Sequence, residues 1–341
     1  MAKSTLALGA AVAALLLALS LHLLKGLPQT DGVVSEIKLP VAGGGPTTLS
    51  ITDDGRVWFT LSTANAIGRV EADGSGYVQF DLPHPNSSPR IIAIGADGNL
   101  WFSEHEGNRI GRLTPQGELT EFEIPTPASQ PRAIALGADG NIWFGEFAAG
   151  KIGRITPQGE IVEFAIPTPD SGPRALAAGP DGNIWFSEFK ASKIGRITPS
   201  GEIVEFPLPH ADAGPGDITA GADGAMWFLE LAGTMDGLQV DGNRVGRITM
   251  NGEISEYPIP SQGASPINIA VGPDLNVWYT KNAALGQVRQ NGAIREFPIA
   301  TGAARAVGLS AGSDRQPPAR LFDKLWFTDP QNDRIGYLRF D

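Results

Sequence analysis

Between Arg132 and Ile166 the apolar residues fall into four short runs ended by turn formers, and nowhere do they recur at the three-and-four spacing of a helix. Arg132-Ala-Ile-Ala-Leu-Gly137 reads as a first strand, after which Asp139-Gly140 supplies the pair that tolerates the positive φ of a tight hairpin. Ile142-Trp-Phe-Gly-Glu146 is a second strand, and after a loop from Phe147 to Gly150 the run Lys151-Ile-Gly-Arg-Ile-Thr156 is a third. Pro157-Gln-Gly159 then turns the chain into a fourth, Glu160-Ile-Val-Glu-Phe-Ala-Ile166. Four antiparallel strands in about 42 residues make one small sheet that cannot bury both of its faces alone.

The same pattern recurs along the chain. All seven tryptophans, Trp58, Trp101, Trp143, Trp185, Trp227, Trp278 and Trp326, hold one position in the phrase Asp181-Gly-Asn-Ile-Trp-Phe-Ser-Glu188 or its variants. Their separations of 43, 42, 42, 42, 51 and 48 residues lie in the range of stacked supersecondary units. The expected fold is therefore all-β: a seven-bladed β-propeller of four-stranded antiparallel blades. The last repeat ends after its third strand, Arg334 to Phe340, and the strand it lacks stands at the front of the chain. Val34-Ser-Glu-Ile-Lys-Leu-Pro40 has the pattern of Val204-Glu-Phe-Pro-Leu-Pro209, so strand 34–40 is expected to complete the last blade and close the ring.

Composition fits this reading. The 43 glycines and 27 prolines fall at fixed positions between apolar strands, as turns. Net charge is −11 and no Lys/Arg cluster offers a phosphate-tracking surface, which argues against nucleic acid as a partner. Met-Ala-Lys followed by an apolar run from about Thr5 to Leu24 predicts one N-terminal apolar helix, serving as a signal peptide or as an uncleaved membrane anchor. Residues 1–25 are that segment, 26–32 a linker and 33–341 the propeller. The propeller is expected outside the cytoplasm, periplasmic or secreted, as a monomer that meets the membrane only through that helix. Without cysteine no disulfide staples it, and a core of this size requires none.

The phrase at 181–188, followed by Lys193-Ile-Gly-Arg-Ile-Thr-Pro-Ser-Gly-Glu-Ile-Val-Glu-Phe206 and a Pro-rich link, resembles the virginiamycin B (streptogramin B) lyases over all seven blades, residues 33–341. The resemblance implies a magnesium-assisted elimination that opens a cyclic depsipeptide at its ester, with a base removing an α-proton. The family's Glu-Pro-His triplet in the last inner strand falls near Arg305-Ala306-Val307, its loop glutamate near Asp329 and its tyrosine on Thr47. Only Asp329 keeps a comparable group. The four histidines are His22, His84, His105 and His210, so the last blade has none to act as base.

Blades two to four carry another polar pattern. Arg90, Arg132 and Arg174 follow the proline that opens the inner strand, and Glu104, Glu146, Glu188 and Glu230 end the second strand. Each Arg is expected to face a Glu across the hairpin, either as a structural ion pair at the channel mouth or as a polar sector for an anionic or peptide-like ligand, with a carboxylate-bound divalent cation if metal takes part. His105, beside Glu104, is expected to be exposed. His84 and His210 occupy matching links between blades and read as surface substitutions. Ala232 to Asp241 is an insertion bordering the channel mouth, a lid or a tolerated loop whose Asp236-Gly and Asp241-Gly read as turns. A second insertion, near Ser310 to Asp323, belongs to the opposite face and could meet a partner. Two functions follow: a scaffold holding a small molecule, peptide or glycan at the channel mouth, or a magnesium-dependent carbon–oxygen lyase acting on a depsipeptide or a related substrate.

Overall fold

An indole is too large to sit on the surface of so small a sheet, and each of the seven lies at or below 2 % exposure in the seam between two blades. Trp143 of blade three packs with Leu176, Ile184 and Phe186 of blade four. Phe164 of its own outer strand stacks on it at 5.7 Å, and the Arg154 guanidinium lies 5.5 Å above its ring. Arg154 also donates to the Pro199 carbonyl of the next blade at 2.8 Å. Gly153 opposes Phe144, whose ring atoms would lie 2.1 Å from any Cβ there, so Gly is required for the sheet to close over that ring.

The computed structural model describes residue 30 and residues 32–340 apart from 236, 262–264, 300–304 and 312–322. Seven four-stranded antiparallel sheets are present, and blade three comprises Pro131–Leu136, Ile142–Glu146, Lys151–Ile155 and Ile161–Ala165, within a residue of the sequence reading at nearly every boundary. Each inner strand contacts the inner strands of both neighbouring blades, and the seventh returns to the first, so the inner strands form a ring around a central channel. Val34–Lys38 pairs antiparallel with Arg334–Arg339 in the register Val34↔Leu338 to Lys38↔Arg334, which is the expected closure. Asp333 fastens it, accepting from the backbone N–H of Gly43 at 2.8 Å and of Gly45 at 3.3 Å.

Two side-chain devices fix the blades to one another. The hydroxyl two residues after the tryptophan donates to an inner-strand carbonyl of the next blade, as Thr60 to Arg90 at 2.7 Å, Thr280 to Val307 at 2.9 Å and Thr328 to Thr47 at 2.8 Å. The aspartate of the first hairpin accepts the indole N–H in blades two to six, from Asp97 with Trp101 at 3.3 Å to Asp274 with Trp278 at 2.9 Å. Asp139 thus shapes its own turn and satisfies a buried donor at once.

The blade-five insertion is no loop. It lengthens the hairpin into strands Met226–Met235 and Leu238–Ile248, with a bulge after Glu230, and Asp241 sits in a strand opposite Ala232 instead of in a turn. Val240 folds back beside Phe189 and is 4 % exposed. The apolar segment 1–25, Asp236 and most of the blade-seven insertion lie outside the described residues. Among the described residues no helix is long and apolar enough to cross a membrane.

Replacing Asp139 by Ala leaves the buried Trp143 N–H without an acceptor and is expected to cost about 1–3 kcal/mol in urea unfolding. Asp54→Ala in blade one breaks no such bond and is expected to cost under about 1 kcal/mol. Equal losses in the two variants would show that the indole bond contributes nothing to the seam.

Candidate functional site

Four positions of the last and first blades meet at one end of the channel. The Arg305 backbone N–H points to Asp329 Oδ1 at 3.4 Å, and Arg305 bridges Asn282 of blade six. The Val307 N–H donates to the Thr328 carbonyl at 2.9 Å, while the Thr328 hydroxyl accepts from Gly308 and donates to the Thr47 carbonyl, both at 2.8 Å. Thr47, Arg305, Val307 and Asp329, the positions that the family resemblance marks, thus lie near one another. Asp329 is fully buried, and its Oδ2 accepts from Asn332 at 2.7 Å. A hard divalent cation needs several oxygen ligands. Among the described residues no group of three or more His, Asp or Glu is placed to hold a metal ion.

The Arg/Glu sector is built differently from the expectation. The residues opposite Glu104, Glu146, Glu188 and Glu230 are Pro89, Pro131, Pro173 and Pro215. In blade three the register runs from Pro131↔Glu146 directly to Ala133↔Gly145, so Arg132 is the extra residue of a β-bulge and turns away from its neighbour's partner. Arg90 and Arg174 stand at the corresponding register shifts. The Arg132 guanidinium lies 4.9 Å from the Phe147 ring centre and that of Arg174 4.9 Å from Phe189. The two rings are 6.5 Å apart, and Lys190 covers Phe147 at 5.1 Å. His105 takes the place of Phe147 in blade two and, contrary to expectation, is buried at 7 % exposure with Nδ1 3.3 Å from the Pro131 carbonyl oxygen. Its position one residue after the strand end turns it under the next blade.

Asp217, which the sequence reading passed over, lies on the inner strand of blade five. Its Oδ2 accepts the Ile269 N–H at 2.9 Å, and burial pushes its carboxyl up to about 7 despite that bond and the nearby Arg174 charge. Gly216 stands where blades two to four have Arg, and the residue after it carries a carboxyl instead.

The four strand-end glutamates are fully buried, and neither oxygen of any of them meets a donor at hydrogen-bond geometry. Each faces a second glutamate on the outer strand: Glu121, Glu163, Glu205 or Glu256. Burial, joined by the outer-strand carboxylate, pushes Glu146, Glu188 and Glu230 up to about 8; Glu104, also raised chiefly by burial, reaches about 7. A proton on the inner carboxyl makes it a donor to its partner, which gives one of its two oxygens a partner. The outer glutamates are clasped by donors from the links: Thr126 N–H and hydroxyl on Glu163 at 2.9 and 2.8 Å, with His84 on Glu121 and His210 on Glu256 at 3.2 Å. His84 and His210 are therefore parts of a repeated clasp. Burial alone would raise Glu163 and Glu205, yet Lys151 and Thr126 hold the first below the usual carboxylate range and Thr168, Glu188 and Lys193 the second. In blade six Lys281 replaces the inner glutamate and pairs with Glu296 at 2.8 Å.

The virginiamycin B lyase family profile matches residues 32–242 and 232–341. The chain belongs to this family. Virginiamycin B lyase from Staphylococcus aureus is 36 % identical with a TM-score of 0.82, covering 90 % of this chain and 99 % of that one. A streptogramin B lyase structure is 34 % identical with a TM-score of 0.81, over 91 % and 98 % of the two chains. A catalytically inactive histidine-to-alanine variant of the Staphylococcus aureus enzyme, with quinupristin, is 35 % identical with a TM-score of 0.82, over 90 % and 99 %. No curated protein sequence matches the chain.

For this member of the virginiamycin B lyase family the paired carboxyls set the pH response. A carboxyl raised in the folded state and ordinary in the unfolded one stabilises fully below about 4.5, and that stability is lost as pH rises through 7 to 8. Glu163 and Glu205 act oppositely, their stabilisation disappearing as pH falls below 4.5. Urea midpoints are expected to peak near pH 5 and to decline toward pH 9. Glu146→Gln, whose amide donates to Glu163 at every pH, is expected to flatten part of the decline by on the order of 1 kcal/mol. An unchanged slope in Glu146→Gln and Glu188→Gln would rule out the shared proton.

Proposed function

We propose that this protein is an exported member of the virginiamycin B lyase family that binds an anionic or peptide-like small molecule at the channel mouth. The observation that carries the reading is the pair Arg132 and Arg174, each laid on a buried phenylalanine at 4.9 Å. Each guanidinium over its ring is a cation held at the channel mouth, and a carboxylate is the group such a charge attracts. Arg90 stands at the matching position of blade two in a chain whose net charge is −11, and a local cluster of cations draws anions; Lys190, over Phe147, is paired with Asp170 at 2.6 Å. Export rests on the apolar run from Thr5 to Leu24.

The second reading is the magnesium-dependent lyase of the family. It is favoured by a family match over the whole propeller and by Asp329, the one carboxylate at the matching positions. Val307 and Arg305 stand where a base and a glutamate are needed, and no step of an elimination can be assigned to them.

Incubation of the full chain with a type B streptogramin, with and without Mg²⁺, is expected to return the antibiotic unaltered by chromatography and mass. A metal-dependent product of the same mass and changed retention would establish the lyase instead. N-acetylphenylalanine, an anionic peptide-like probe, is expected to bind by calorimetry. Arg132→Ala and Arg174→Ala are each expected to weaken it about tenfold, a change of about 1.4 kcal/mol; undiminished binding in both would remove the arginines from the site.

A further inference from the structure

Blade one lacks one buried bond of the repeat, on the face opposite the channel mouth. In blades two to six the residue before the first hairpin is glycine, and a Cβ at Gly95 would lie 2.4 Å from Asp97 Oδ1 and 2.6 Å from Trp101 Nε1. The same close approach holds at Gly137, Gly179, Gly221 and Gly272. Blade one has Thr52 at that position. Its hydroxyl takes Asp54 Oδ1 at 2.5 Å, and Arg56, which replaces the usual asparagine, holds the same carboxylate through its backbone N–H at 3.2 Å and its guanidinium at 3.1 Å. Asp54 is thereby drawn off the tryptophan. Trp58 is fully buried and its Nε1 has no hydrogen-bond partner, alone among the indoles of blades one to six.

An orphaned buried donor of this kind calls for a missing acceptor. Beside it a cavity of about 250 Å³ opens between blades one and two, lined by Asp53, Asp54, Arg56, Trp58, Ile94 and Pro115 among others. The corresponding seam between blades five and six, where Asp223 accepts from Trp227 at 3.0 Å, leaves only about 10 Å³. The larger space and the unpartnered N–H thus occur at the same seam.

We propose that this cavity is a second ligand site, separate from the channel mouth, and that it takes a neutral polyhydroxylated ring such as a monosaccharide. An anion would meet Asp53 and Asp54 at the rim, and a cation would meet Arg56 and leave the indole N–H unused. A hydroxyl accepts from Trp58 Nε1 and donates to an aspartate, while the apolar face of a sugar ring fits against Ile94 and Pro115.

The test is a titration of the full chain, labelled with ¹⁵N at the indoles, in which Trp58→Phe identifies the Trp58 resonance. N-acetylglucosamine is expected to move that resonance saturably and to leave the other six in place. Thr52→Gly, the residue five other blades carry, is expected to shift the Trp58 proton before any ligand is added, as Asp54 returns to it, and to reduce the sugar response at least tenfold. Arg56→Asn, the second variant, is expected to reduce it in the same way. No movement with the sugar, movement spread over all seven indoles, a response to benzoate as large as that to the sugar, or undiminished sugar binding in both variants would each overturn the proposal.

Discussion

Everything in this molecule hangs on how a tryptophan is seated between two blades. A four-stranded sheet of 20-odd residues has two apolar faces and no interior, so its stability comes from its neighbours. The indole supplies the largest buried surface at each seam, and the surrounding consensus residues serve to place it: a stacked aromatic from the outer strand, an arginine above the ring that reaches the next blade's carbonyl, and an aspartate that takes the N–H. The glycine just before the phrase is needed because a side chain there would strike these same groups, as at Gly137 against Asp139 and Trp143. A phrase that recurs seven times is therefore a description of the seam, and seven copies are what a closed ring of seams requires.

That arrangement explains which polar groups the fold can bury. The seam hydroxyls and turn aspartates each satisfy a specific partner, and a neutral hydrogen bond of this kind is tolerated in an interior. The strand-end glutamates are harder to accommodate, since four carboxylates at zero exposure would oppose folding if ionised. Setting a second glutamate beside each lets one proton serve two carboxyls, and the lysine or arginine of the third strand balances the charge that remains. Blade six reaches the same balance with Lys281 against Glu296, and blade one avoids the charge with Leu61 and Gln79 at the two positions.

The sequence made the architecture legible because strand period, turn residues and tryptophan spacing all report the same unit. The closure by Val34–Lys38 was readable for the same reason: a strand was missing at one end and in excess at the other. The polar sector was less legible. A bulge inserts one residue without any change in composition, and that single residue moved Arg132 off Glu146 and onto Phe147. His105 looked exposed because loops generally are, yet its blade-two position is the one that blades three and four fill with buried Phe147 and Phe189. The outer glutamates were visible as the second Glu of each Glu-Ile-Val-Glu-Phe run, but their partners lie two strands away and only the folded register joins them. Asp217 was not legible because blades two to four carry Ile91, Ala133 and Ala175 at its position.

In a nearly symmetric ring, a place where one blade breaks the pattern of the others stands out against a repeated background. The seam cannot drift freely, since each of its residues answers to several partners, so a departure there is either compensated nearby or leaves a visible defect. Lys281 is compensated by Glu296 and Ser261. Gly216 with Asp217 shifts a charge within the channel, and the long hairpin of blade five covers Phe189 with Val240. Arg305 and Val307 alter the end of the channel where Thr47 and Asp329 also lie, without disturbing the hydroxyl bond from Thr328 that holds blades seven and one together. Thr52 is the uncompensated case: it breaks a buried bond and puts nothing in its place, which is how a binding group differs from a structural one when both are built on the same indole.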